Sequence, residues 1–186
     1  MTTAAQAMAA ATRRLREAGV DDPARDARIL LAHAAKIDTS RVTLIAPEDI
    51  SSEISERYEN MIRLREARVP VSHLIGEREF YGRRFKVSRD VLDPRPETET
   101  LIEVALRSHF TKMADLGTGS GCILVTLLAK VPCGQGVGVD LSPSALAVAA
   151  RNAQTHGVVD RASFHCADWL NGISGPFDLI SFSYTH

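Results

Sequence analysis

One heptapeptide constrains this chain more than any other, because it stands between two apolar runs of opposite period. Asp115-Leu116-Gly117-Thr118-Gly119-Ser120-Gly121 lies directly after a predicted strand, Lys112–Leu116, and directly before a predicted helix, Cys122–Ala129. Glycines let the backbone turn sharply and approach a ligand without Cβ collisions, and a helix N-terminus just beyond offers unpaired N–H groups to a carboxylate or a phosphate. A strand, a glycine loop and a helix make a half-unit of a parallel sheet. The continuation has the same texture: strand Gly136–Asp140, helix Pro143–His156, strand Ala162–Cys166 and strand Phe177–Ser181. The expectation is an α/β domain with right-handed crossovers.

The spacing narrows the ligand. A dinucleotide fingerprint wants glycines at 117, 119 and 122, whereas position 122 is cysteine and the third glycine is Gly121. The resulting GxGxG is closer to a methyltransferase loop. Asp115, at the strand end, either contacts a ligand's amino group or only caps the loop. Nineteen residues past Gly121, Asp140 closes the next strand, where a carboxylate accepts hydrogen bonds from vicinal ribose hydroxyls, of a dinucleotide or of S-adenosylmethionine alike. The alternative is that it belongs to the cap of the helix beginning at Ser142-Pro143. Asp168-Trp169 ends the third strand, in position to receive an adenine's exocyclic amine and to cover its ring, unless the lone tryptophan is simply core.

Upstream, residues 4–68 carry helical periodicity through Leu15 and Ala18, then Ile29, Leu30, Leu31 and Ala34, then Ile54, Tyr58, Met61, Ile62 and Leu64. Pro23 after Asp21-Asp22, and Pro47 before Glu48-Asp49, read as helix starts. Residues 79–87, Glu-Phe-Tyr-Gly-Arg-Arg-Phe-Lys-Val, read as a hairpin about Gly82. The division is therefore a helical domain at 1–72, a β-hairpin linker at 73–93 and a Rossmann-like domain at 94–186.

Composition excludes several classes. With 45% hydrophobic and 24% charged residues and a net charge of −1, the chain is globular and offers no electrostatic footprint for nucleic acid; residues 1–75 balance 11 basic against 11 acidic side chains. No apolar stretch reaches the ~18 to 20 residues needed to span a bilayer, and no signal-peptide core is present, so no membrane and a cytoplasmic location are expected. Cys122, Cys133 and Cys166, without ligand spacing, read as reduced, partly buried thiols, and the six histidines show no metal or dyad pattern.

Three stretches together resemble one family, the release-factor glutamine methyltransferases: Pro70-Val71-Ser72-His73-Leu74-Ile75-Gly76-Glu77 with Phe80-Tyr81-Gly82, then Pro94-Arg95-Pro96-Glu97-Thr98-Glu99, then the loop at 115–121. The resemblance implies a helical domain for substrate recognition, S-adenosyl-L-methionine as cofactor with contacts on Gly117 to Gly121, Asp140 and Trp169, and methylation of the glutamine amide in the Gly-Gly-Gln motif of peptide-chain release factors. It also implies an Asn-Pro-Pro-Tyr catalytic loop. That tetrapeptide is absent after Ser181, and Asp93 stands where the family has an apolar residue. The expectation is thus an incomplete methyltransferase domain with no catalytic residue of its own, slow or inactive, and monomeric unless its open sheet edge associates. Three alternatives remain: a non-catalytic remnant that binds cofactor or release factor, a nucleic-acid adenine methyltransferase, and an NAD enzyme, the last disfavoured by Cys122.

Overall fold

The structure is a computed structural model that describes residues 2–182, and it falls into two compact units divided between Ile75 and Gly76.

The first unit is helical: α1 (Ala4–Glu17), α2 (Pro23–Ala35), a 3₁₀ turn (Thr39–Arg41), α3 (Val42–Ile45), α4 (Ser52–Glu66) and α5 (Val71–Ile75). Local chemistry sets the starts. Thr3 and Gln6 form a reciprocal capping box ahead of α1, and Pro23 opens α2 while Asp22 accepts from the Arg25 N–H. The expected start at Pro47 does not occur. Glu48 N–H donates to the Ile45 carbonyl in a turn that ends α3, and α4 waits for Ser51, whose hydroxyl accepts from Ile54 N–H. Proline's fixed φ suits a turn as well as a first helical position, so it marks a start only where a cap precedes it.

Leu15, Leu30, Leu31, Val42 and Ile62 are fully buried at the centre of this unit. Polar links also join its helices. Tyr58 donates to the Ala27 carbonyl at 3.0 Å, and Arg65 meets Asp26 at 2.7 Å with both side chains largely buried, joining α4 to α2. Removing either partner would strand the other's charge, at a cost of about 3 to 5 kcal/mol.

The second unit opens with a hairpin, β1 (Glu77–Phe80) and β2 (Arg83–Lys86), turned by Tyr81 and Gly82, both at positive φ as a tight two-residue turn requires. Then follow α6 (Thr98–Ala105), β3 (Lys112–Leu116), α7 (Cys122–Lys130), β4 (Gln135–Asp140), α8 (Pro143–Thr155), a second 3₁₀ turn, β5 (Ala162–Cys166) and β6 (Leu179–Phe182). The four later strands form one parallel sheet in the order β5-β4-β3-β6. This is the Rossmann-like α/β arrangement expected. The last strand begins two residues later than expected, because Asp178 docks it: its N–H donates to the Lys112 carbonyl, and its carboxylate accepts from the N–H groups of Thr111 and Lys112 and from the Thr111 hydroxyl. Those bonds hold the Asp178 carboxyl below its ordinary pKa. Phe177 instead packs with Leu170 and Ile173 against Ala114, Leu116 and Val139.

The core of the first unit is contributed by residues of that unit alone. Residues 1–75 expressed by themselves should therefore give a helical circular dichroism spectrum and a cooperative melt; a random-coil spectrum would show that this core is insufficient.

Candidate functional site

The chain returns beside β3 after β5, so the C-terminal ends of β3, β4 and β6 meet at the point where strand order reverses, the place where open α/β sheets hold ligands. A cavity of about 570 Å³ opens there. Gly117, Thr118, Gly119 and Ser120 line one side, with Asp140; the segment Asp90–Arg95 and Thr98 line the other.

The glycine loop takes its shape from the backbone. Gly117, Gly119 and Gly121 all have positive φ, and Thr118 N–H donates to the Val139 carbonyl at 2.9 Å, tying the loop to β4. Gly121 caps α7 and does not itself line the cavity; a Cβ there would stand 3.0 Å from that of Ala149. Gly121→Ala therefore combines strain at positive φ with a clash against α8.

Two carboxylates organise the loop from opposite sides. Asp140 accepts from Gly119 N–H through one oxygen and from Ser142 N–H through the other, each at 2.9 Å. It lines the cavity and also fixes the entry to α8, as the capping alternative in the sequence expects. Asp115 is wholly buried beneath the loop and is not part of the cavity wall. Its oxygens accept from Thr118 and Ser181 hydroxyls, each at 2.7 Å. That is a cap for the loop. Burial pushes its pKa up to about 6; the hydroxyls of Thr118 and Ser181 and the Leu124 N–H pull it back, and the charge of Asp140 adds a smaller upward push.

Asp168 and Trp169 follow β5 in a turn, both exposed and outside the cavity wall; Trp169 holds a left-handed φ of 54°. The preceding Ala167 N–H donates to the Asp140 carbonyl at 3.2 Å, so they begin beside Asp140 at the same end of the sheet. Among the cavity residues that the loop motifs do not reveal are Pro94, Arg95, Thr98 and Cys122. The first three belong to the Pro-Arg-Pro-Glu-Thr-Glu segment, whose composition alone gave no reason to aim it at the loop. Cys122 is buried and its thiol is pushed up to about 12 by desolvation, which leaves it unreactive. Cys133 and Cys166 are exposed, not partly buried as expected, since Cys133 lies in the turn between α7 and β4 and Cys166 is the last residue of β5. Among the described residues no group of three or more His, Cys, Asp or Glu side chains is placed to hold a metal, and no helix is long and apolar enough to cross a membrane.

Residues 6–76 match the family model described as the PrmC N-terminal domain, and residues 113–186 match one described as a methyltransferase domain. A release factor glutamine methyltransferase of Cereibacter sphaeroides is 53% identical over 177 residues, which cover 95% of this chain and 64% of that protein. Those of Rhodospirillum rubrum and Caulobacter vibrioides are 44% and 38% identical, over 90% and 96% of this chain and 52% and 63% of theirs. This chain is a homologue of the release factor glutamine methyltransferases. It spans less than two thirds of the length of these relatives.

Because the folded-state value of Asp115 lies above the ordinary carboxylate value, the native state keeps a proton between about pH 4 and pH 6 that the unfolded chain releases. Asp115 therefore costs stability progressively as pH rises through that window. Relative to Asp115→Asn, the native chain should lose on the order of 3 kcal/mol of unfolding free energy between about pH 4 and pH 7 in urea titrations. A difference that stays flat with pH would show that Asp115 is not held as described.

Proposed function

We propose that the second unit binds S-adenosyl-L-methionine at the glycine loop and that the chain serves N5-methylation of the glutamine in the Gly-Gly-Gln motif of peptide-chain release factors. The observation that carries this reading is the bond from Gly119 N–H to Asp140, which brings the two sequence motifs together on one cavity wall. Each oxygen of Asp140 accepts one backbone N–H and keeps lone-pair capacity, which suits a pair of vicinal hydroxyls. The cavity volume lies within the ~300 to 1,000 Å³ range of small-molecule sites. The residues present therefore fit the cofactor.

When bound, the cofactor supplies a methyl group on a sulfonium. Within this reading the loop from Gly117 to Gly121 holds it through backbone groups, and Asp140 accepts from its ribose. Asp168 accepts from the adenine amine, and the exposed ring of Trp169 covers the base. Asp115 keeps the loop in shape from below. The division into a helical domain at 1–72, a hairpin linker at 73–93 and a methyltransferase domain at 94–186 belongs to the same proposal, with the helical domain meeting the release factor. A cytoplasmic monomer acting on protein is the accompanying expectation, supported by the net charge of −1 and by similarity to enzymes named for release factors.

An amide nitrogen is a poor nucleophile, and holding it in line with the methyl at about 3 to 3.5 Å can supply ~7 to 11 kcal/mol. The groups that the resemblance assigns to this task, an asparagine side chain and a proline carbonyl, belong to an Asn-Pro-Pro-Tyr tetrapeptide that does not occur in these 186 residues. The hydroxyls of Ser183 and Tyr184 lie outside the described residues.

Calorimetry on the 186-residue chain should show binding of S-adenosylhomocysteine and weaker or no binding of NAD. Asp140→Ala should lower the affinity for S-adenosylhomocysteine about 5- to 150-fold. Tighter binding of NAD, or an unchanged affinity in Asp140→Ala, would sink the cofactor assignment.

A radiolabelled-methyl assay on a release factor tests the rest. A polypeptide of residues 1–186 should transfer slowly or not at all beside a version extended through Asn-Pro-Pro-Tyr to the relatives' full length. Equal rates would place the positioning groups within these residues.

A further inference from the structure

We propose that Asn152 is a positioning residue that ties the β1–β2 hairpin to the glycine loop, so that the seating of the hairpin sets the shape of the loop that receives the cofactor. The proposal rests on the reading of that loop as the cofactor site. Asn152 lies on α8 with no solvent exposure. Its carboxamide makes three hydrogen bonds: Nδ2 donates to the Lys86 carbonyl at 2.9 Å and to the Ser120 carbonyl at 2.8 Å, and Oδ1 accepts from Lys86 N–H at 2.8 Å.

The first and third of these treat Lys86 as a neighbouring strand would. Lys86 stands opposite Glu77 in the hairpin, yet its own N–H and carbonyl both go to Asn152. The second reaches Ser120, a buried residue between Gly119 and Gly121, both at positive φ, on the wall of the cavity. Two donors and one acceptor, set in one plane on a short stem, are what this junction requires. Aspartate lacks the donors and would set a charge against two carbonyl oxygens, and leucine of similar size offers nothing. The hairpin is pinned elsewhere too, Tyr81 N–H donating to Glu99 at 2.8 Å and His156 Nε2 lying 2.9 Å from the Arg84 carbonyl. Of these pins only Asn152 also holds the loop.

Gly82→Ala gives a perturbation confined to the hairpin: the glycine sits at φ +68° with nothing within 4 Å of an added Cβ, so the change strains the turn without touching the loop. Amide exchange by NMR on the unliganded 186-residue chain then reads the coupling. Gly82→Ala should speed exchange at Gly121 several-fold, and the same change in an Asn152→Leu background should leave Gly121 unaffected, the two changes failing to add. With S-adenosylhomocysteine present, the Lys86 amide should slow in the native chain and not in Asn152→Leu. Asn152→Asp should weaken ligand binding about 10-fold while amides of the β3–β4 ladder stay protected.

A Gly121 amide indifferent to Gly82→Ala, or equally responsive in both backgrounds, would overturn the proposal. The first of these outcomes needs no Asn152 variant and so stands even if that variant fails to fold. A chain that shows the hairpin-to-loop coupling but binds no S-adenosylhomocysteine would instead leave Asn152 as proposed and remove the cofactor reading.

Discussion

A buried carboxylate that makes no ion pair among the described residues holds the ligand-facing end of the sheet together. Asp115 is the penultimate residue of β3, and its bonds to Thr118, Ser181 and the Leu124 N–H gather the glycine loop, β6 and the first turn of α7 around one buried group. Ionised, it is a buried charge that hydroxyl and N–H dipoles offset; protonated, it becomes a donor and changes what its neighbours must do. Either way the loop cannot relax independently of the strands that flank β3. Asp140 completes the frame from the open side, where its two N–H partners leave it facing the cavity.

Much of this frame could be read from the chain itself. The heptapeptide at 115–121 sits between an apolar strand and an apolar helix, and each of these has one period, so element type, order and parallel pairing follow from local pattern and handedness. The turn of the hairpin is equally local, because Gly82 after Tyr81 supplies the positive φ that two-residue turns need. Pro47 misled for a local reason as well: the residue that caps α4 is Ser51, four positions on.

What sequence could not give is long-range. Nothing in Pro94-Arg95-Pro96-Glu97-Thr98-Glu99 says which surface it faces, and its place across the cavity from the glycine loop depends on how the chain folds back between them. The roles of Asn152 and Ser181 are hidden in the same way. An asparagine in the last turn of an amphipathic helix and a serine in a strand look like solvated polar positions until partners 66 residues away are known. The choice for Asp115 between ligand contact and loop cap was likewise a question about burial, which no spacing rule answers.

The link between Asp115 and Ser181 also orders events in time. A chain emerging from the ribosome delivers the helical unit first, with all of its core partners in hand, then β3 with its acidic end, and only 66 residues later the hydroxyl that helps hold that end. Until β6 docks, Asp115 has Thr118 as its side-chain donor and lacks Ser181, and the sheet remains a three-stranded fragment with an open central edge at β3. Closing that gap is a high-contact-order step, slow by nature, and the nascent chain carries an unfinished ligand site while it waits.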